Sequence, residues 1–167
     1  MLTTRLVNKI LLLFFSLSLL FLSGCANFLK PELGAIARPE ARIDLAQNGV
    51  LRTKDLLLDY SFTESGNTLN LAGNIDIDRG VTATFDLITR LYVGMNFLDD
   101  QGRVLDSVDI TPLYSAYNRV PDRLPIKSST VRPAGAVAVA FNYFGVLKDV
   151  GDNRGGDKWE IFYFPFD

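Results

Sequence analysis

From Leu51 onward, apolar residues recur at every second position, a period that lets a strand bury one face and leaves no continuous apolar stripe for a helix. Leu56 to Phe62 is the first such run. In the next, Leu69, Leu71, Gly73, Ile75 and Ile77 alternate against Asn70, Ala72, Asn74 and Asp76. The clearest run sets Phe85, Leu87, Thr89, Leu91, Val93, Met95 and Phe97 on one face, with Asp86, Arg90 and Asn96 opposite. It ends at Asp99-Asp100-Gln101-Gly102, a turn whose glycine can take positive φ, and Val104 to Ile110 returns as its partner. Later, Val137, Val139, Phe141 and Tyr143 alternate with Ala136, Ala138 and Ala140. Finally, Trp159, Ile161 and Tyr163 alternate with Glu160, Phe162 and Phe164. Six or seven strands with no long amphipathic helix predict an all-β fold, a single antiparallel two-sheet sandwich.

The chain ahead of these strands has a different character. Arg5 and Lys9 precede an apolar run from Ile10 to Leu22, broken only by Ser16 and Ser18, and no acidic residue occurs before Cys25. A bilayer-spanning helix needs roughly 20 apolar residues, so the run fits a cleaved leader better than a permanent anchor. It closes on Leu22-Ser23-Gly24-Cys25, which resembles a bacterial lipobox, the site where a signal is cut and the new N-terminal cysteine acylated. That resemblance implies a lipoprotein carrying covalent lipid at Cys25, with two or more acyl chains anchoring it firmly to a membrane. Ala26 stands where an inner-membrane retention signal would place Asp, so the resemblance further implies the outer membrane, facing the periplasm. Between Ala26 and Asn48, Pro31, Gly34 and Pro39 interrupt a stretch of weak periodicity, which reads as a flexible tether. The expected division is a leader over 1–24, a lipidated cysteine and tether over 25–48, and the sandwich over 49–167.

Composition excludes much of the usual chemistry. The chain contains 0 His and 1 Cys, which removes Ser-His-Asp triads, His-paired thiols and His-ligated metals. Acylation would consume the one thiol, leaving no disulfide in an oxidising compartment, so the core alone must hold the domain. Lys and Arg total 17 against 19 Asp and Glu, interspersed without a basic stripe, so no nucleic-acid partner is expected. Nothing in the sequence brings two carboxylates together for hydrolysis. No catalytic residue and no cofactor besides the lipid are expected.

Three stretches are candidates for binding. Phe162, Phe164 and Phe166 would share one face of a final strand that is apolar on both sides, a pattern that needs either a cover or a partner protein of the cell envelope. Tyr114 and Tyr117 lie on a proline-stiffened connection over 111–124, where tyrosines suit binding but equally cap the open end of a core. Asp149, Asp152, Asn153 and Asp157 crowd a Gly-rich connection that could hold Ca²⁺, although the spacing matches no EF-hand and exposed turns use the same residues. Asp76 and Asp78 face the same test, and ordinary turn chemistry is the better account of them.

A second resemblance spans residues 68–111. The glycine-containing strand Leu69 to Ile77, the strand ending Asn96-Phe97-Leu98-Asp99-Asp100-Gln101-Gly102 and the returning Val104-Leu105 are similar to Ig-like domains of the FxLYD and bacterial late-embryogenesis-abundant types. Phe97-Leu98 stands where those families often carry Tyr or Leu-Tyr. The resemblance implies an Ig-like sandwich and a non-catalytic binding or scaffold role in the envelope. The runner-up role is binding of a small apolar ligand or polysaccharide within or on the sandwich.

Overall fold

The computed structural model describes residues 29–113, 120–149 and 157–167. Nine strands occur among them: β1 (Ile43–Asp44), β2 (Gly49–Arg52), β3 (Leu56–Ser65), β4 (Thr68–Ile77), β5 (Leu87–Leu98), β6 (Val104–Asp109), β7 (Leu124–Val131), β8 (Ala138–Lys148) and β9 (Lys158–Tyr163). One four-residue helical turn, α1 (Arg79–Thr82), follows β4 and is capped by Asp78, whose Oδ1 accepts from the Gly80 amide at 2.8 Å.

The strands form two antiparallel sheets packed face to face. One runs β2-β3-β4-β7; the other runs β1-β8-β5-β6, with β9 also pairing β8. Seven strands follow an immunoglobulin-like Greek-key path, with β3, β4 and β7 in one sheet and β9, β8, β5 and β6 in the other. The strands β1 and β2 are short additions at sheet edges. Alternation directs Leu58, Leu69, Leu71, Ile75, Met95, Phe97, Phe141 and Tyr143 into a common core, where Phe62 and Phe141 stack 6.4 Å apart. Burying a side chain of this size stabilises by about 2 kcal/mol.

Two local features depart from strict alternation. At Thr89 a bulge leaves one residue of β5 unpaired, since Ile88 faces Leu147 and Arg90 faces Val146. The bulge flips the phase, so Ile88 rather than Leu87 or Thr89 joins Leu91, Val93, Met95 and Phe97 in the core. At Gly73 the neighbouring strand passes so close that a Cβ would collide with the Asp59 carbonyl oxygen, which accounts for the glycine in β4. The turn after β5 forms as its sequence predicts: Gly102 has φ +82°, and Asp99 Oδ1 accepts from the Gln101 and Arg103 amides.

The expected tether is corrected by the structure. From Leu29 the chain lies on the sandwich rather than away from it. The Gly34 amide donates to the Val104 carbonyl, the Val104 amide to Ala35, and the Ala37 amide to Gly102. Ile36 bridges Arg103, Ala37 bridges Phe166, and β1 pairs Ile43 with Val139. Ala37, Ala41 and Leu45 are buried. This segment covers the outer face of the β5–β8 sheet. There Ala37, Leu98, Val104, Ala140 and Phe166 form a second, smaller core, with Ala35, Ala138 and Phe164 at its margin.

Candidate functional site

The C-terminal aromatic row carries one of the exposed large apolar side chains, Phe162, beside an open groove. In β9, Ile161 points into the core across Gly145, whose Cβ, if present, would sit 2.8 Å from the isoleucine side chain. Its neighbours Glu160 and Phe162 therefore point outward. Tyr163 pairs with Tyr143, the rings 5.8 Å apart, while Phe162 lies opposite Phe144. Beyond Tyr163 the chain leaves the strand at Phe164-Pro165. The Arg38 amide donates to the Pro165 carbonyl, and the Asp167 amide to Ile36.

That departure changes what the three phenylalanines do. Phe162 is 49% exposed, Phe164 is half-buried, and Phe166 is buried in the second core. Their rings still form a continuous ladder, 6.2 Å between Phe162 and Phe164 and 5.2 Å between Phe164 and Phe166. Phe166 is thus removed from the candidate partner surface, because Ala37 and its neighbours already cover it. Between the ladder and Lys30-Pro31-Glu32 runs an open groove of about 340 Å³, bounded at its end by Asp167. An exposed ion pair of Arg38 with Asp167, 3.6 Å, lies at this end. The lining is mostly apolar, and the charges around it are of both signs.

A buried polar network fixes the base of the same face. Asn96 and Asn142 project from β5 and β8 on the outer side, in runs that are otherwise apolar. The Asn96 side-chain amide donates to Asn142 Oδ1 at 2.8 Å and to the Ala140 carbonyl, while Ser107 Oγ donates to Asn96 Oδ1 at 2.7 Å. Asn142 Nδ2 in turn donates to the Leu29 carbonyl at 2.7 Å, clamping the start of the described chain to the sheet. Beside this network the absence of a Cβ at Gly94 leaves space for the Asn142 amide and the Tyr92 ring. The Tyr92 hydroxyl is buried without a hydrogen-bond partner among the described residues. Burial, with a smaller contribution from the Asp109 charge, pushes its pKa up to about 12. Sequence reasoning missed this network. Its signal was an asparagine within an otherwise apolar run of each strand, Asn96 in Leu91–Leu98 and Asn142 in Ala138–Leu147.

The other candidates resolve differently. Tyr114 and Tyr117 lie outside the described residues, as do Asp152 and Asn153. Asp149 and Asp157 flank that second stretch, the Asp149 amide donating to the Asp157 carbonyl at 3.2 Å. Among the described residues no group of three or more acidic or thiol side chains is placed to hold a metal ion. Asp76 forms a two-pronged pair with Arg123 at 3.0 and 3.1 Å, and Asp78 caps α1, so both serve structure. A polar depression of about 570 Å³ lies beside them, lined by Arg79, Thr82, Asp122 and Arg123. Its best-placed carboxylate, Asp76, is already neutralised by Arg123.

No protein-family model, curated protein or solved structure matches this chain. The fold and its surfaces define the protein as an antiparallel β-sandwich of Ig-like strand order, in which the stretch from Leu29 to Ala37 and residues 164–167 seal one sheet.

Proposed function

We propose that this chain is a lipid-anchored protein of the bacterial outer membrane, facing the periplasm, which acts as a non-catalytic binding or structural module in an envelope assembly. The observation that carries the reading is the chain's lone cysteine at the end of Leu22-Ser23-Gly24-Cys25, behind a basic and then apolar leader. The Ig-like sandwich supports it, since that architecture serves binding roles in many unrelated proteins, although fold alone assigns none. Phe162 and Phe164 are the contact surface on this reading, because they are the accessible rungs of the aromatic ladder.

Two experiments test the parts separately. Cys25→Ser should release the protein from the membrane fraction and abolish incorporation of labelled palmitate; continued membrane association would remove the lipobox assignment. Crosslinking in the native envelope, comparing wild type with folded Phe162→Asp and Phe164→Asp variants, should lose any captured neighbour in both. A neighbour indifferent to both changes would move the contact surface elsewhere.

A second reading is favoured by the groove itself. Its volume of about 340 Å³ and its phenylalanine wall suit a small apolar ligand. Saturable binding of a fluorescent fatty acid, lost in Phe164→Asp, would favour that role over protein contact.

A further inference from the structure

Resting on the lipoprotein reading, we infer that the partner of the Phe162 surface is the bilayer itself: the sandwich sits with the outer face of β9 and the chain that covers β8 against the lipid headgroups. The argument begins with chain length. The Leu29 carbonyl is held by Asn142 on that face, and Leu29 is only four residues beyond Cys25. Four fully extended residues span at most about 14 Å, so an acylated Cys25 stays within that distance of the clamp. The far sheet is another layer away, at a sheet spacing of about 10 Å before side chains are counted. A stem this short therefore presents one face of the domain to the membrane and turns β4 and β7 away from it.

The surface around the exit point suits this contact. Lys30, Pro31 and Glu32 run directly on from Leu29 and form one wall of the phenylalanine groove. On one side of this stretch stands Phe162, and on the other Leu33, which is 75% exposed. Charges here are mixed, with Lys30 and Arg38 beside Glu32 and Asp167, so apolar contact rather than net charge is the attraction. Individually weak contacts suffice, because the anchor holds the face at high effective concentration against the bilayer.

The test uses the mature lipidated protein in phosphatidylethanolamine/phosphatidylglycerol vesicles. Acylation blocks Cys25, so one introduced cysteine can carry a fluorophore at a chosen surface. Glu160→Cys reports from the outer face of β9, and Lys127→Cys from the outer face of β7; both residues are exposed. Headgroup-nitroxide lipids should quench the probe at 160 several-fold more strongly than the probe at 127, with little change when phosphatidylcholine replaces the anionic lipid. Equal quenching, or stronger quenching at 127, in protein that floats with the vesicles would overturn the orientation and leave the lipoprotein reading intact. Protein that carries no lipid and fails to float would overturn both.

Discussion

The outer faces of the two sheets are built on opposite principles. On the β3–β4–β7 sheet, Ser61, Thr63, Asn70, Ala72, Asn74 and Lys127 meet solvent in the plain apolar-in, polar-out alternation of an antiparallel sheet. On the β5–β8 sheet, Asn96, Leu98, Ala140 and Asn142 are buried where the chain from Leu29 to Ala37 and the final residues lie across the sheet. The comparison shows that a sandwich can carry a third layer made of irregular chain. Small residues such as Ala35 and Ala37 let that chain lie flush on the sheet.

The largest effect that tests the difference is Leu98→Ala. On a solvent-facing strand side it would cost under about 0.5 kcal/mol, but in a sealed second core it should cost about 2–5 kcal/mol, read by urea denaturation. A small loss would mean that the cover is loosely held. Asn96→Ala should follow at about 1–3 kcal/mol, since it leaves the buried Asn142 Oδ1 without its donor.

Two tyrosines sharpen the contrast between inner and outer layers. Tyr143 shares a 2.6 Å hydrogen bond with Thr53, so Tyr143→Phe should lose about 1 kcal/mol. Tyr92→Phe deletes a hydroxyl with no partner among the described residues and should be neutral or stabilising in the same measurement. Burial pushes both tyrosines up to about 12, from an ordinary value of 10.0. The folded state therefore holds both protons more tightly than the unfolded chain does. Stability should be fully present below pH 10 and fall as the pH rises toward 12, and each Phe variant should flatten that fall in thermal melts. The smallest effect belongs to the solvent face of the other sheet, where Thr63→Ala should shift stability by no more than about 0.5 kcal/mol.

Much of the sandwich was legible because burial on one face writes itself into the chain at period two. Leu69 to Ile77 and the Asp99–Gly102 turn read directly. The phase of Phe85 to Thr89 did not, since a bulge inserts one residue without any residue type that demands it. Nor did the cover, because Pro31, Gly34 and Ala37 have the composition of a linker, and their packing depends on partners distant in sequence. The available sign was on the other side of the contact: Leu98, Ala138 and Ala140 occupy the outward positions of strands apolar on both faces, and such strands need a lid. Alternation also misplaced Phe166, because Pro165 ends the strand geometry on which the count relied. For the candidate site, the sequence pointed to the aromatic row but not to which of its rings remain open.

Ala37 bridges Phe166, and the edge of β8 is shared between β1 from the start of the described chain and β9 from its end. Every N-terminal fragment of this domain is therefore missing a piece of the sheet that its own first residues must seal. Such closure between distant segments is slow and comes late. The cover is thus one joint held from both sides, lost alike when the segment around Ala37 or the one around Phe166 is removed.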